Sequence, residues 1–116
     1  MHKLVILITP LENWQSFEEK WPDFLHLAED MPGLRREATS RVEHFMFGAT
    51  PLAQMHELYF DTFAELEGAL ASPAGQAAGK LLQEMTQGRL TLFLAEHKED
   101  VLENILQFRK SENETP

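Results

Sequence analysis

Residues 57–80, with the sequence ELYFDTFAELEGALASPAGQAAGK, constrain the fold more than any other part of the chain. The run HELYF at residues 56–60 is aromatic and alternating, which predicts a strand. Thr62 and Glu65 have the spacing of a capping box, and Ser72 with Pro73 supplies a second N-cap followed by proline at the first helical position. This segment therefore predicts a strand that runs into two successive helices.

The second of these helices contains two glycines, Gly75 and Gly79, one turn apart. A glycine inside a helix costs about 1 kcal/mol relative to alanine. A helix that keeps two of them is therefore expected to lie close to the backbone of another element at both positions.

The remaining elements follow from periodicity and from turn residues. We expect strands at residues 4–9, 34–48, 54–60 and 89–96, helices at residues 16–31 and 98–110, and disorder over residues 111–116. The first strand is apolar on both faces and should be central in its sheet. Ser16 and Glu19 form the expected capping box of the first helix, and Pro22 predicts a kink or a break within it.

The resulting order, β-α-β-β-α(α)-β, is the split βαβ arrangement of ferredoxin-like folds. We predict an α+β domain over residues 1–97, with a four-stranded antiparallel sheet covered by helices on one face, and a terminal helix and tail over residues 98–116. The other face would expose several aromatic rings, at Phe45, Phe47, Tyr59 and Phe93. Because such a surface is unfavourable in water, a homodimer is expected, in which two sheets form an α+β barrel around a pocket.

Composition limits the possible functions. The chain has no cysteine, which excludes disulfides, thiolate nucleophiles and cysteine-based metal sites. Its net charge of −9, with no basic patch, argues against nucleic-acid partners. No apolar run approaches the ~20 residues that span a membrane. We therefore expect a cytoplasmic protein with no membrane partner.

Three motifs resemble the EthD family: MPGLRRE at residues 31–37, ELYFD at 57–61 and ALASPAGQAAGK at 69–80. The resemblance spans residues 4–97 and implies the dimeric α+β barrel superfamily. Members of that superfamily include monooxygenases that act without a metal, haem-binding enzymes, isomerases of small lactones and proteins with no known activity. Many EthD-like sequences carry a histidine in the first helix, and here His26 lies one position later than in that pattern.

Glu57 is the leading catalytic candidate. If Leu58 and Phe60 face the helices, alternation places Glu57 and Tyr59 on the opposite side, in the pocket. Burial in an apolar pocket would raise the pKa of the Glu57 carboxyl and suit it to proton transfer, with Tyr59, His26 or His44 as the second proton handler. The alternative is an ion pair of Glu57 with Arg41, Arg35 or another cationic group.

A second set of residues is expected to line the pocket and bind its ligand: Arg41, Phe45, Phe47, His56 and Phe93. A slip of one residue in the second strand would exchange Arg41 for His44, and the aromatic rings could equally form the core of a dimer. The histidines have neither HxxxH nor HxH spacing, so no metal site and no cofactor are predicted.

Two classes of function remain open. The first is a cofactor-independent oxygenase or isomerase that acts on a small apolar molecule in catabolism, which requires an enclosed pocket containing Glu57 and a histidine. The second is a non-catalytic dimer that binds a small ligand or accompanies an oxidation system, which predicts a pocket that is sealed, filled by side chains, or lined without converging titratable groups. Haem binding is a third, weaker option.

Overall fold

The structure is a computed structural model that describes residues 1–114, with side chains described for residues 1–109. Eight elements follow one another along the chain: β1 (His2–Ile8), α1 (Trp14–Glu29), β2 (Arg36–Arg41), β3 (Gln54–Phe60), α2 (Phe63–Ala71), α3 (Pro73–Thr86), β4 (Leu90–Glu96) and α4 (Leu102–Glu114). The strands form one antiparallel sheet in the order β2-β3-β1-β4. The predicted ferredoxin-like α+β fold is confirmed, and β1 is central as expected.

The register of the strands separates the two faces of the sheet. On the side that packs against the helices, which we call the helix side, the core includes Leu4, Ile6, Leu58 and Phe60. The opposite side, which we call the free face, carries the residues of opposite parity on each strand: Lys3, Val5, Leu7, Arg36, Ala38, Ser40, Met55, Glu57, Tyr59, Thr91, Phe93 and Ala95. The predicted division of β3 between its two faces is therefore confirmed.

Helix α1 begins earlier than predicted. The side chain of Asn13 accepts a hydrogen bond from the backbone N–H of Ser16 over 3.1 Å, so Asn13 is the N-cap and the capping box predicted at Ser16 and Glu19 is wrong. The buried stripe of this helix is the predicted one, with Phe17, Trp21, Phe24 and Ala28 in the core.

Pro22 does not divide α1, which continues as one helix from Trp14 to Glu29. The proline lacks the N–H that would donate to the carbonyl of Glu18, so one helical hydrogen bond is missing. The buried rings of Trp21 and Phe24 lie on either side of this position and hold the helix against the sheet. Packing of the flanking turns therefore maintains the helix where the local sequence predicted a possible break.

The caps of α2 and α3 are as predicted. Thr62 Oγ1 accepts from the N–H of Glu65, and Ser72 Oγ accepts from the N–H of Gly75, each over 3.1 Å. Pro73 occupies the first turn of α3. Because these caps involve only neighbouring residues, the local sequence determines them.

The two glycines of α3 differ in their surroundings. A Cβ atom at Gly75 would lie 2.1 Å from the carbonyl oxygen of Ala69 and 2.8 Å from that of Leu70, so the end of α2 approaches α3 closely there. A Cβ atom at Gly79 would meet no atom within 4 Å. The expected close approach is therefore confirmed for Gly75 and wrong for Gly79.

The predicted long strand over residues 34–48 is wrong, because β2 ends at Arg41. Arg41 pairs with Gln54, the first residue of β3, and one more backbone hydrogen bond joins Val42 to Ala53. Among residues 1–114, no strand pairs with residues 43–52. An extended segment without a neighbouring strand has no partner for its backbone groups, so the chain leaves the sheet. Residues 43–51 are exposed and irregular.

Helix α4 starts four residues after the predicted start at residue 98 and continues to Glu114, through part of the segment expected to be disordered. Residues 115 and 116, also expected to be disordered, lie outside the described residues. The apolar side chains of α4 and of the residue before it are 39–67% exposed: Val101, Leu102, Ile105, Leu106 and Phe108. Within the described part of the chain, no helix is long and apolar enough to cross a membrane.

Candidate functional site

Glu57 lies on the free face, where it is bound by two neighbours. Lys3 Nζ lies 2.5 Å from Glu57 Oε2, and the hydroxyl of Tyr59 donates to the same oxygen over 3.0 Å. Lys3 comes from β1, directly opposite Tyr59 in the register of the sheet. Residues 3, 57 and 59 therefore meet because β1 pairs with β3, and they form a compact polar cluster.

The pKa of the Glu57 carboxyl is lowered. Burial raises it, but the hydrogen bonds from Lys3 and Tyr59 outweigh that effect. The hydrogen bond to Glu57 in turn raises the pKa of the Lys3 ammonium. The expected raised pKa of Glu57 is therefore wrong, and the alternative of an ion pair with a cationic group holds, with Lys3 as the partner. A carboxylate held in this way is a poor general base near neutrality.

Tyr59 is covered by side chains from two other parts of the chain. The guanidinium of Arg36 lies 4.1 Å from the centre of its ring, and the His97 ring packs edge-on at 4.8 Å. Glu99 accepts from Arg36 over 3.5 Å and lies 3.3 Å from His97 Nε2. The polar cluster of the free face thus comprises six residues: Lys3, Arg36, Glu57, Tyr59, His97 and Glu99. Sequence reasoning missed four of these six, Lys3, Arg36, His97 and Glu99, because their proximity to Glu57 and Tyr59 depends on strand pairing.

His56 lies on the helix side, across the sheet from Glu57, so its predicted place beside Glu57 in one pocket is wrong. The alternation that placed Leu58 in the core also applied to His56, and this signal was available in the sequence. The imidazole is fully buried; its Nδ1 lies 2.8 Å from Thr39 Oγ1 and its Nε2 lies 3.2 Å from Glu37 Oε2. Burial lowers the pKa of His56 to about 4, so the ring is neutral at neutral pH.

Aromatic rings of α1 surround His56. Trp21 packs edge-on against the imidazole at 5.0 Å and Phe24 at 5.8 Å. Burial, followed by the charge and the hydrogen bond of Glu29, raises the pKa of the neighbouring Glu37 carboxyl. The histidine is thus enclosed between α1 and the sheet, with one hydroxyl and one carboxyl as its polar partners.

Of the other predicted catalytic residues, Tyr59 contacts Glu57, whereas His26 and His44 are not among its partners. His26 is exposed on α1, and His44 is exposed in the irregular segment after β2. Arg41 reaches Glu18 of α1 over 3.0 Å, which places its side chain on the helix side. The structure therefore does not assemble a pocket that contains Glu57 and a histidine from this set.

The predicted aromatic lining is also dispersed. Phe93 lies on the free face and is 44% exposed. Phe45 and Phe47 follow β2 in the irregular segment, and the Phe47 ring is almost fully exposed. Of the four rings expected to share one surface, only those of Tyr59 and Phe93 lie on the free face of the sheet.

An apolar cleft of about 260 Å³ opens on the helix side, between α3 and β4. It is lined by thirteen residues, none of them charged or polar: Leu4, Ile6, Phe24, Met31, Leu58, Leu70, Gly75, Ala78, Gly79, Leu82, Leu92, Phe93 and Leu94. Of the strand residues in this lining, Phe93 alone belongs to the free face by its register. Sequence reasoning did not find this cleft. The pair of glycines in α3 is the sequence signal at this place, and it predicts close packing instead.

The cleft contains no group that could transfer a proton. His56 does not line the cleft; its ring packs edge-on against Phe24, which does, with 5.8 Å between the ring centres. Within the described residues, no three histidine, aspartate or glutamate side chains form a group that could hold a metal ion. The arrangement can bind an apolar molecule by exclusion of water, and it offers no converging acid and base.

Four antiparallel strands with the helices α1 to α3 on one face define this protein as an α+β protein of the ferredoxin-like class. The chain is similar to an EthD family protein from Bacillus halodurans C-125, with 29% identity over 84% of this chain and 99% of that one, at a TM-score of 0.78. The resemblance to the EthD family is confirmed by this likeness.

Two more distant structures share the fold. SnoaB, a cofactor-independent oxygenase from Streptomyces nogalater, is 15% identical over 87% of this chain and 95% of its own, with a TM-score of 0.63. A dimeric ferredoxin-like protein of unknown function from Jannaschia sp. CCS1 is 20% identical over 83% and 97%, with a TM-score of 0.61. No family model matches the chain, and no curated protein matches it either.

Proposed function

We propose that this protein binds a small uncharged apolar molecule in the cleft between α3 and β4. The observation that carries this proposal is the cleft itself, with a volume of about 260 Å³ and a lining of thirteen apolar residues. Ligand sites are usually concave and mostly apolar, and a site without polar groups favours a ligand without them. The proposed binding site therefore lies on the helix side of a single chain and not between the sheets of two chains, where the pocket was expected.

A non-catalytic binding role fits this site better than an enzyme with a protein-supplied acid and base. Glu57 is held as a carboxylate by Lys3 on one side of the sheet, and the neutral His56 is enclosed on the other side. Neither side chain lines the cleft. The positions of Glu57 and His56 support a non-catalytic role, in which the protein holds or delivers its ligand as an accessory to an oxidation system.

Cofactor-independent oxygenation is a second candidate. It is supported by the fold shared with SnoaB and by the neutral imidazole of His56, which packs edge-on against Phe24, a residue of the cleft lining. In this case, dioxygen consumption should rise when a bound ligand is present, and a His56→Gln variant should lose that increase. A protein that binds its ligand with no dioxygen uptake has the binding role alone.

Ligand binding is tested with naphthalene, whose own fluorescence reports its transfer into an apolar site. Leu94 lines the cleft and is 39% exposed. A Leu94→Lys variant therefore places an ammonium group at the opening of the cleft, whose lining offers it no carboxylate or other polar partner. We expect this variant to bind naphthalene about tenfold more weakly or worse, equivalent to about 1.4 kcal/mol.

Val42→Lys is the matched control, because Val42 is 37% exposed and lies outside the cleft. Its affinity for naphthalene should equal that of the wild type. Equal affinity in all three proteins would place the bound molecule elsewhere and would refute the cleft as the site.

We also propose that two copies of the chain associate through the free face. Phe93 is 44% exposed there, and α4 carries a further exposed apolar stripe. The structural relative from Jannaschia is dimeric, which supports the same assembly here. A second copy would shelter the free face from water, whereas the cleft on the helix side stays open in each chain.

The dimer should respond to a charge on the free face. A Phe93→Glu variant is expected to shift the molar mass, measured by light scattering at micromolar concentration, from two subunits towards one. Phe63→Glu is the matched control, because Phe63 is also 44% exposed but packs against His2, on the helix side of β1. A wild-type protein of one subunit at this concentration would contradict the dimer.

A further inference from the structure

We infer that Gly79 determines the size of the molecule that the cleft accepts. This ligand is an uncharged molecule with about one or two rings. The inference rests on the proposed function, because it concerns the same cleft. Beyond that function, the selectivity for ligand size is assigned to one residue, Gly79. The volume of the cleft limits the size of the ligand, and its apolar lining excludes a charged one.

Packing does not explain the glycine at position 79. A Cβ atom there would have no neighbour within 4 Å, in contrast to Gly75, where it would collide with the last carbonyls of α2. The backbone conformation does not explain it either, since Gly79 lies inside α3 and is not among the glycines with positive φ. Glycine is the least favourable helix residue after proline. Gly79 is exposed and lines the cleft, so a side chain at this position has room to extend.

Two leucines of β4 line the same cleft as Gly79 and are partly exposed. Leu92 and Leu94 belong to the helix side, yet they are 45% and 39% exposed. The stripe of α3 that lines the cleft has small residues at three of its four positions, Gly75, Ala78 and Gly79, and only Leu82 is large. A larger side chain at position 79 would extend into the gap that leaves the two β4 leucines uncovered.

Volume and lining limit the chemistry of the occupant. An apolar cavity of about 150 Å³ is enough for benzene, and this cleft measures about 260 Å³. A fused pair of rings is therefore within its capacity. A carboxylate or an ammonium group would find no hydrogen-bond partner among the side chains of the lining, and burial of an unpaired charge is strongly unfavourable.

The test compares the affinities of the full chain for naphthalene and for benzene, measured by fluorescence and by calorimetry. Gly79→Leu fills the gap with a good helix-forming residue, so this variant should bind naphthalene at least tenfold more weakly, with a smaller loss for benzene. Gly68→Leu is the matched control, because Gly68 lies inside α2, would also give an added Cβ atom no neighbour within 4 Å, and does not line the cleft. This control should keep both affinities.

Thermal unfolding separates the role of Gly79 from a loss of structure. Both variants gain helix propensity and should unfold at temperatures equal to or above that of the wild type. If Gly79→Leu does not fold, Gly79→Ala serves instead and should lower the naphthalene to benzene affinity ratio. An unchanged ratio in a folded variant overturns the inference alone. A wild-type protein that binds neither probe overturns the proposed function, and the assignment of Gly79 with it.

Discussion

Replacement of Gly75 by alanine is expected to destabilise the fold by about 2–3 kcal/mol, as an added methyl group does in a tightly packed site. The new Cβ atom would lie 2.1 Å from the carbonyl oxygen of Ala69, 2.8 Å from that of Leu70 and 2.9 Å from the Leu70 Cα atom. All three are backbone atoms, which cannot move aside as the end of a flexible side chain can. The ends of α2 and α3 would have to separate.

That separation would also disturb the cap between the two helices. Ser72 Oγ accepts from the N–H of Gly75 and donates to the carbonyl of Ala69 over 2.6 Å, so one hydroxyl joins both helix ends. Loss of an N-cap typically costs about 1 kcal/mol. The gain in helix propensity from glycine to alanine, also about 1 kcal/mol, offsets only part of the total.

Gly68→Ala is the control for this prediction. Gly68 lies inside α2 with no atom within 4 Å of an added Cβ, so alanine there should stabilise the protein by up to about 1 kcal/mol. The free energy of unfolding of both variants is measured by urea denaturation at one fixed protein concentration, because association would make it concentration-dependent. Equal stability changes in the two variants would contradict the close approach of α2 at Gly75.

Acidification is expected to remove about 3 kcal/mol of stability through His56 alone, the free energy equivalent of its pKa shift. The pKa of His56 falls from 6.5 to about 4 in the folded protein, because burial disfavours the charged ring. Between these values the unfolded chain binds a proton that the folded protein does not. The contribution is therefore complete above pH 6.5 and is lost as the pH falls towards 4.

The carboxyl next to His56 acts in the opposite direction. The pKa of Glu37 is raised, first by burial and then by the charge and hydrogen bond of Glu29, so the folded protein binds that proton more readily than the unfolded chain does. Its contribution to stability therefore grows as the pH falls through the raised pKa. The wild-type curve contains both effects, and only a comparison with a variant isolates that of His56.

His56→Gln supplies this comparison, because glutamine can still form hydrogen bonds with Thr39 and Glu37 but does not titrate. Urea denaturation at a series of pH values between 7 and 4 should show a flatter curve for the variant, with a difference that reaches about 3 kcal/mol at the acidic end. Parallel curves for the two proteins would mean that His56 takes up its proton as easily in the folded protein as in the unfolded chain.

Features that depend on neighbouring residues were predicted well. The caps at Thr62 and Ser72 bind backbone groups three residues away, and the strand period of two places Glu57 and Tyr59 opposite Leu58 and Phe60. The same period places His56 in the core, although it was expected in the pocket. The expected place in the pocket is wrong, whereas the strand alternation of β3 correctly indicates that His56 is buried.

Features that depend on distant residues could not be predicted. The pKa of Glu57 follows from Lys3, which is 54 residues away and reaches it through the pairing of β1 with β3. The end of β2 follows from the start of β3, because a strand stops where its partner stops. The unbroken α1 follows from the packing of Trp21 and Phe24 on the sheet, which compensates for the hydrogen bond lost at Pro22.

Local patterns in the chain are enough to predict the order of the elements, the two faces of β3 and the ferredoxin-like class, because periodicity and capping involve residues that are close in sequence. Three other features depend on how the elements pack: the ion pair of Glu57, the open space at Gly79 in contrast to the tight packing at Gly75, and the apolar cleft between α3 and β4. A cavity is a gap between elements, so its size depends on how far apart packing holds the backbones of α3 and β4.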